Sequence, residues 1–140
     1  MITISQALRA FLQDNPVGVL GTRRADGTVR QSVVYYAVEG NRLLISTESK
    51  RAKACDVRRD RWASLCVAGT SAPYLSATLE GRARVVPTGI SADTGAVWSR
   101  IPGMAGTEPP AEADLAAADR VIIEITVDRV YGISYIKAGM

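Results

Sequence analysis

The residues best suited to bind an anion follow one another in a short segment near the first third of the chain. The apolar run over residues 43–47 ends in the hydroxyl groups of Ser46 and Thr47, Ser49 comes two residues later, and cations begin at once. Hydroxyl and backbone N–H donors at a helix start suit a phosphate or carboxylate, because the helix dipole already favours negative charge there. The cations are Lys50, Arg51, Lys53, Arg58, Arg59 and Arg61.

The positive charge of the chain is concentrated in this segment. The sequence has 17 Lys and Arg against 14 Asp and Glu, a net charge of +3. Residues 50–61 hold six cations and two acids, a local surplus of four that leaves −1 for the rest of the chain. Such a patch serves an anionic cofactor or nucleic acid in some proteins and is a solvated helix face in others. Nucleic-acid binding is not expected, because the patch lacks interleaved aromatic residues and a second basic stripe.

The absence of histidine removes several classes of enzyme. The chain cannot form a Ser–His or Cys–His nucleophile pair, a His-containing zinc site or a proximal-His haem site. Cys55 and Cys66 form no CxxC pair, and we expect reduced thiols with Cys66 in the core. We expect no metal, and the sequence identifies no catalytic side chain. Any enzymatic chemistry is therefore expected to come from a cofactor.

Length and composition predict one globular domain over residues 1–140. The composition is 47% hydrophobic and 22% charged, which is ordinary for a folded domain. No apolar run approaches the roughly 20 residues that span a bilayer. The N-terminal segment lacks the features of a signal peptide, so we expect a cytoplasmic protein without a membrane partner.

The hydrophobic pattern predicts a mainly β, antiparallel domain with a few helices. Thr3 and Gln6 fit a capping box for a first helix that ends at Asn15 and Pro16, and turn signals lie at Asp26–Gly27 and over 39–41. A basic helix follows the anion-binding hydroxyls, a further helix is predicted over 92–101, and a Gly/Pro-rich loop over 102–112. The predicted strands span residues 17–22, 29–38, 43–47, 63–68, 75–86 and 121–127, and 130–136 is a further candidate.

The strand predicted over residues 29–38 has a second half that is apolar on both faces. Val33 and Tyr35 fall on one face, and Val34 and Tyr36 on the other. An antiparallel strand with one solvated face alternates between apolar and polar residues. Two apolar faces need two burial partners, so we expect a symmetric homodimer.

Six short segments occur in an order and spacing that resemble those of a known family. They are Gly-Val-Leu-Gly-Thr over 18–22, Asp-Gly-Thr-Val-Arg-Gln-Ser over 26–32, Leu-Leu-Ile-Ser-Thr over 43–47, Lys-Arg-Ala-Lys over 50–53 with Val-Arg-Arg-Asp over 57–60, Leu-Glu-Gly-Arg-Ala over 79–83, and Val-Tyr-Gly-Ile over 130–133. They resemble the split β-barrel flavin and deazaflavin oxidoreductases related to pyridoxamine 5′-phosphate oxidase. The similarity covers nearly the whole chain and is greatest to the branch that uses coenzyme F420, a 5-deazaflavin with a phospholactyl and oligoglutamate tail. The implied fold is the antiparallel split β-barrel that binds FMN in pyridoxamine phosphate oxidase.

The resemblance also implies a cofactor site shared between two subunits. Its phosphate ligands match the strand end at Ser46 and Thr47 and the neighbouring cations, its ring lies along residues 30–33, and a loop over 74–76 reaches in from the other subunit. One departure is the pair Cys55–Asp56, where relatives often carry Arg–Asn, because an acid there weakens the local anion field. The expected cofactor ligands are Arg30, Ser32, Val33, Ser46, Thr47, Ser49, Lys50, Arg51, Lys53, Tyr74 and Ser76.

The activity implied by the resemblance is hydride transfer between coenzyme F420 and a small conjugated or unsaturated organic acceptor. FMN carries one phosphate, which Arg51 and Lys53 would satisfy, and the further cations Lys50, Arg58 and Arg59 favour the longer anionic tail of F420. Pyridoxamine phosphate oxidase activity is not expected, because that enzyme holds its substrate with an Arg/His pair and this chain has no histidine. An FMN-dependent oxidoreductase of the same fold and a non-catalytic F420- or flavin-binding protein remain as alternatives.

Overall fold

A curled antiparallel sheet forms the centre of the molecule, of which the structure, a computed structural model, describes residues 2–132. The strands of the described chain lie in the order β2-β1-β5-β6-β7-β4-β3, and every pair is antiparallel. This confirms the predicted split β-barrel. In chain order the elements are α1 (Gln6–Asp14), β1 (Val17–Arg23), β2 (Val29–Tyr35), β3 (Ala37–Glu39), β4 (Arg42–Glu48), α2 (Ala52–Asp60), β5 (Trp62–Ala68), β6 (Ser76–Val86), α3 (Ser91–Trp98), α4 (Glu112–Ala117) and β7 (Arg120–Tyr131).

The first helix begins later than its sequence predicts. Ser5 is the N-cap of α1, and its hydroxyl accepts a hydrogen bond from the backbone N–H of Leu8 at 3.1 Å. The capping box predicted at Thr3 is therefore wrong, since Ser5 provides the oxygen that satisfies a free N–H of the first turn. Leu8 and Leu12 are buried on the face of α1 that covers the core.

The strand predicted over residues 29–38 is two strands. The chain leaves β2 at Tyr36, whose buried hydroxyl donates to the carbonyl of Asn15 at 2.6 Å and lies 3.0 Å from that of Leu12. Those contacts hold Tyr36 against the end of α1 and separate β2 from β3. Within the described chain one of the two apolar faces of β2 is covered, because Val34 is buried and Val33 is 74% exposed. Cover of the Val33 face by a second subunit stays a prediction.

The last strand is longer than predicted and crosses two apolar clusters. β7 pairs with β4 along its first half and with β6 along nearly all of it. Ile123 and Ile125 join the larger cluster inside the curled sheet, and Ile122 joins a smaller one beneath α3 and α4. Both faces of β7 are therefore buried, as its continuous apolar sequence requires. Residues 133–136 of the further candidate strand lie outside the described residues.

Two other expectations differ from the structure. The sequence does not predict α4, which begins where the predicted loop over 102–112 ends and buries only Leu115. Cys66 was expected in the core, but it is exposed on the outer side of β5, between the buried Leu65 and Val67. The strand over residues 63–68 is as predicted, but the burial expected for Cys66 is wrong.

None of the helices in the described part of the chain has the length and apolar character needed to span a bilayer.

Candidate functional site

The pairing of β4 with β7 places a residue from late in the chain beside the predicted anion-binding hydroxyls. In the register of these strands Glu48 lies opposite Arg120, and Ser46 lies two residues before Glu48 on β4. The Nη2 of Arg120 donates to Ser46 Oγ at 2.6 Å. Thr47, between them, is buried. The strand end that the sequence predicted as a hydroxyl-rich site thus contains an arginine as well.

Cations from two elements converge at this point. Arg51 is the N-cap of α2, Lys53 lies in its first turn and Arg120 begins β7. Burial lowers the pKa of Lys53, and the positive charges of Arg51 and Arg120 lower it further against the opposing effect of Glu48. We call Ser46, Arg51, Lys53 and Arg120 the anion site.

The anion site has more positive than negative charge. Among the described residues its cations have one close carboxylate, Glu48, whose Oε1 lies 3.7 Å from the Arg51 guanidinium and 4.0 Å from that of Arg120. The Nε of Arg120 is buried without a hydrogen-bond partner in the described chain. A cluster of this kind is stabilised when an anion binds, because the anion supplies both the missing charge and the missing acceptor.

Sequence reasoning did not identify Arg120. It stands at the start of a strand, outside every segment that resembles the family, and no local pattern marks it. Arg120 could have been found only from the antiparallel pairing of residues 43–47 with 121–127, which puts the ends of the two strands side by side. That pairing spans most of the chain and cannot be read from one sequence.

A second polar group surrounds Asp56 on α2. The carboxylate of Asp56 accepts hydrogen bonds from Thr22 Oγ1 at 2.9 Å, Arg30 Nε at 2.8 Å and Arg59 Nη2 at 3.3 Å. Burial raises the pKa of Asp56, but these hydrogen bonds outweigh that effect and hold the pKa below its usual value. The negative charge of Asp56 is thus balanced by Arg30 and Arg59, so its effect on the anion site is smaller than its sequence position suggests.

The ring-lining residues expected on β2 are divided between the two faces of the strand. Arg30 and Ser32 are half-buried on the inner face, where the Nε of Arg30 reaches Asp56 and leaves the Nη groups of that arginine for a ligand. Val33 points to the opposite face because side chains alternate along a strand. The structure therefore brings Arg30 and Ser32 together and separates Val33 from them.

The two cations in the last turn of α2 have partners within the chain. Arg58 donates to the backbone oxygen of Ser49 at 2.8 Å and to its Oγ at 2.5 Å. Arg59 donates to Asp56 and to the backbone oxygen of Arg23. Arg58 and Arg59 are therefore not the spare cations that the sequence suggested, whereas Lys50 is exposed.

The loop between β5 and β6 is the segment that the sequence predicts to reach a second subunit. Tyr74 is 70% exposed and has a left-handed backbone conformation with φ of 56°. Ser76 is half-buried and begins β6 opposite Ala68. An exposed aromatic ring held at a loop tip is available to stack on a planar group outside its own subunit.

The curled sheet and the cation-lined strand end define a split-barrel protein of the flavin-binding type, and comparisons identify its family. Residues 4–134 match the pyridoxamine 5′-phosphate oxidase family, and the chain belongs to it. A conserved hypothetical protein from Mycobacterium tuberculosis has a TM-score of 0.74 at 25% identity, over 97% of this chain and 88% of that one. An F420 reductase has a TM-score of 0.69 at 28% identity, over 86% of this chain and 94% of that one. An FAD-binding protein from Mesorhizobium loti shares the fold at a TM-score of 0.66 and 23% identity, over 92% of this chain and 94% of that one.

The residues of the anion site fit the phosphate of a flavin-type cofactor. Arg51 and Lys53 supply charge, Arg120 supplies an unpaired N–H, and Ser46 accepts from Arg120 while keeping its own proton to donate. Arg30 and Ser32 lie on the inner face of β2, an edge strand that also contacts β4. The arrangement can bind and orient a phosphorylated cofactor, and the redox chemistry of such a site belongs to the cofactor.

Proposed function

We propose that this protein is a homodimeric oxidoreductase that uses coenzyme F420 to transfer a hydride to a small conjugated or unsaturated organic acceptor. The observation that carries the proposal is the surplus of positive charge at the anion site, where among the described residues Arg51, Lys53 and Arg120 have Glu48 as their close carboxylate. The 28% identity with an F420 reductase supports a deazaflavin as the bound group.

Each residue of the anion site has a distinct role in holding the cofactor phosphate. Arg51 and Lys53 attract the phosphate by their charge. Arg120 donates to it from Nε, and Ser46 donates to it from its hydroxyl group. Arg120 is itself held in place by Ser46 and by the ring of Trp98, whose centroid lies 5.8 Å from the guanidinium carbon. When bound, the deazaflavin supplies the hydride, and the chain supplies binding and orientation.

A second subunit completes the proposed site. The outer face of β2, β1 and β5 exposes Val29, Val33, Val17 and Val19, and contiguous exposed apolar surface of this kind is typical of an interface. Val33, Val19 and Cys66 are direct neighbours across the three strands. Pairing two copies through this face covers it and brings Tyr74 from one copy to the ring of the cofactor in the other.

FMN is the second candidate cofactor, and one observation favours it. Arg58 and Arg59, which the sequence suggested for an anionic tail, donate to Ser49, Asp56 and Arg23 within the chain. A cofactor with a single phosphate needs only the anion site.

Titration of the purified protein with F420 and with FMN distinguishes the two candidate cofactors. We expect tighter binding of F420, and a protein that purifies yellow or binds FMN equally well would reverse the order.

Substitutions at the anion site test whether it holds the phosphate. Arg51→Ala, Lys53→Ala and Arg120→Gln should each weaken cofactor binding by about ten- to a hundredfold, since a charge-assisted hydrogen bond contributes roughly 1.5–3 kcal/mol. Arg24→Gln is the control, because Arg24 is an exposed arginine in the turn between β1 and β2. If all three variants bind cofactor as the parent does, the phosphate lies elsewhere.

Turnover separates the oxidoreductase from a protein that only binds F420 or a flavin. Reduced F420 is mixed with the protein and a panel of quinones, enones and tetrapyrroles, and its reoxidation is followed by absorbance. We expect transfer to at least one class of acceptor. Tight binding without transfer to any of them would identify a binding protein.

A further inference from the structure

A groove lined by arginines lies at the opposite end of α2 from the anion site. Two hollows of about 260 and 180 Å³ meet there, and Arg61 and Arg84 line both of them. Arg82 and Glu124 also line the larger hollow, and Arg58 lines the smaller one. We call this surface the arginine groove.

Backbone hydrogen bonds fix the arrangement of the three central arginines. Arg61 follows the last residue of α2, and its carbonyl accepts from the N–H of Ala83 at 3.0 Å. Ala83 is buried in β6, and its neighbours Arg82 and Arg84 leave the strand on the exposed side. Arg61, Arg82 and Arg84 therefore leave the backbone close together and line the same hollow.

The carboxylates near the groove pair with two of its three central arginines and leave Arg61. Glu124 accepts from Arg84 at 2.9 Å and from Arg42 at 2.5 Å, and Arg42 also lies 3.8 Å from Asp93, so the charge of Arg84 is matched within the chain. Arg82 has Asp128 at 3.8 Å, and Arg61 makes no ion pair with any residue in the described part of the chain. The end of the helix dipole contributes about half a negative charge, which is less than the positive charge of the groove.

The backbone conformation and the surroundings of Arg61 do not require an arginine. Its φ of 59° is left-handed, a conformation that glycine adopts at the end of many helices without steric cost. The side chain is exposed, so packing of the core does not require an arginine here. Neither the backbone nor the core therefore accounts for the cation at the centre of the groove.

We propose that the arginine groove binds a small anion with two or more closely spaced anionic groups, separately from the cofactor phosphate. Guanidinium groups bind phosphate and carboxylate through paired hydrogen bonds, and several of them along one groove match a diphosphate or a tricarboxylate better than a single phosphate. The proposal does not depend on which cofactor the anion site holds.

Calorimetric titration of the purified protein tests the groove directly. Pyrophosphate and citrate represent the phosphate and carboxylate classes, and orthophosphate is the comparison with one anionic group. We expect at least one of the two to bind about tenfold more tightly than orthophosphate, with an affinity that falls as salt rises. If neither binds more tightly than orthophosphate, the proposal is wrong.

The substitution Arg61→Gly separates binding from folding. Glycine relieves the left-handed strain, so the melting temperature should stay the same or rise while binding of the multivalent anion weakens by about tenfold or more. Arg84→Gln is the second variant, and Arg24→Gln, outside the groove, should bind as the parent does. An affinity unchanged in both Arg61→Gly and Arg84→Gln overturns the proposal.

Because pyrophosphate is also small enough for the anion site, the titration is repeated with Lys53→Ala. Binding by the groove persists in that variant and is lost in Arg61→Gly. Binding that Lys53→Ala removes and Arg61→Gly leaves intact would assign the anion to the cofactor site and overturn the proposal.

Discussion

At the scale of single residues, Asp56 connects three elements near the candidate site. It is 3% exposed and accepts hydrogen bonds from Thr22 on β1, Arg30 on β2 and Arg59 on its own helix. Thr22 is itself buried, so removal of the carboxylate leaves a buried hydroxyl and two guanidinium groups without their acceptor. The expected cofactor ligand Arg30 therefore depends on Asp56 for its position.

Replacement of this carboxylate should destabilise the protein in a way that depends on pH. Asp56→Asn should lower the free energy of unfolding by about 1–3 kcal/mol near neutral pH, because hydrogen bonds to a charged group are lost. The pKa of Asp56 is depressed below 3.8 in the folded state, so its stabilisation is complete above that value and disappears as the pH falls through the lower folded pKa. Urea unfolding of parent and variant should therefore converge at acid pH.

Asp60→Asn is the matched control for this comparison. Asp60 also pairs with an arginine, Arg23, but both side chains are partly exposed. We expect a loss below about 1 kcal/mol for this variant. Equal losses for the two variants, or a difference between parent and Asp56→Asn that persists in acid, would contradict the role given to Asp56.

At the scale of elements, the end of α1 is held by polar groups from elsewhere in the fold. The Nη2 of Arg100, just after α3, donates to the carbonyl of Leu12 at 2.6 Å, and its guanidinium carbon lies 4.8 Å from the centre of the Tyr36 ring. Tyr36 donates to the carbonyl of Asn15. A cation at a helix C-terminus also interacts favourably with the helix dipole. These contacts join α1, the sheet and α3.

Loss of the Arg100 side chain should loosen this junction. Arg100→Ala should lower the free energy of unfolding by about 1–3 kcal/mol, since it leaves helix-end carbonyls without a charged donor. Thermal unfolding measures the effect, and hydrogen exchange should show faster exchange of α1 amides. Arg9→Ala is the control, because Arg9 also donates to a carbonyl, that of Gly40, but in an exposed position. A smaller loss for Arg100→Ala than for Arg9→Ala would contradict this interpretation.

At the scale of the whole molecule, local patterns predicted the strands but not how distant ones meet. Alternation and turn residues predicted the hairpin around Gly27 correctly, and the resemblance predicted the barrel. Cys66 was expected in the core because a cysteine in a strand is usually buried, and residue type alone does not show which face of the strand is inside. The break at Tyr36 depends on carbonyls of α1, and the position of Arg120 depends on pairing between β4 and β7. Those contacts join residues far apart in the chain, so no local signal predicts them.

The assembly of the molecule is tested at the exposed face of β2, β1 and β5. Val33 is 74% exposed beside Val19, and burial of this face in a dimer would desolvate both side chains. Val33→Lys places an unpaired charge in that contact from each subunit, at a cost of several kcal/mol for desolvation. Sedimentation equilibrium at micromolar concentration should give about twice the chain mass of 14.9 kDa for the parent and a mass near 14.9 kDa for the variant. The affinity for the cofactor should fall together with the mass, because Tyr74 of one subunit then no longer reaches the cofactor of the other.

Ala92→Lys is the control for the dimer, because Ala92 is an exposed residue of α3 and lies on a different element from the apolar face. This variant should keep the mass and the cofactor affinity of the parent, which separates an effect of the interface from an effect of added positive charge. If Val33→Lys remains a dimer, subunits meet through another surface. If the parent itself is a monomer that binds cofactor fully, the site is complete within one chain and the loop at Tyr74 has no part in it.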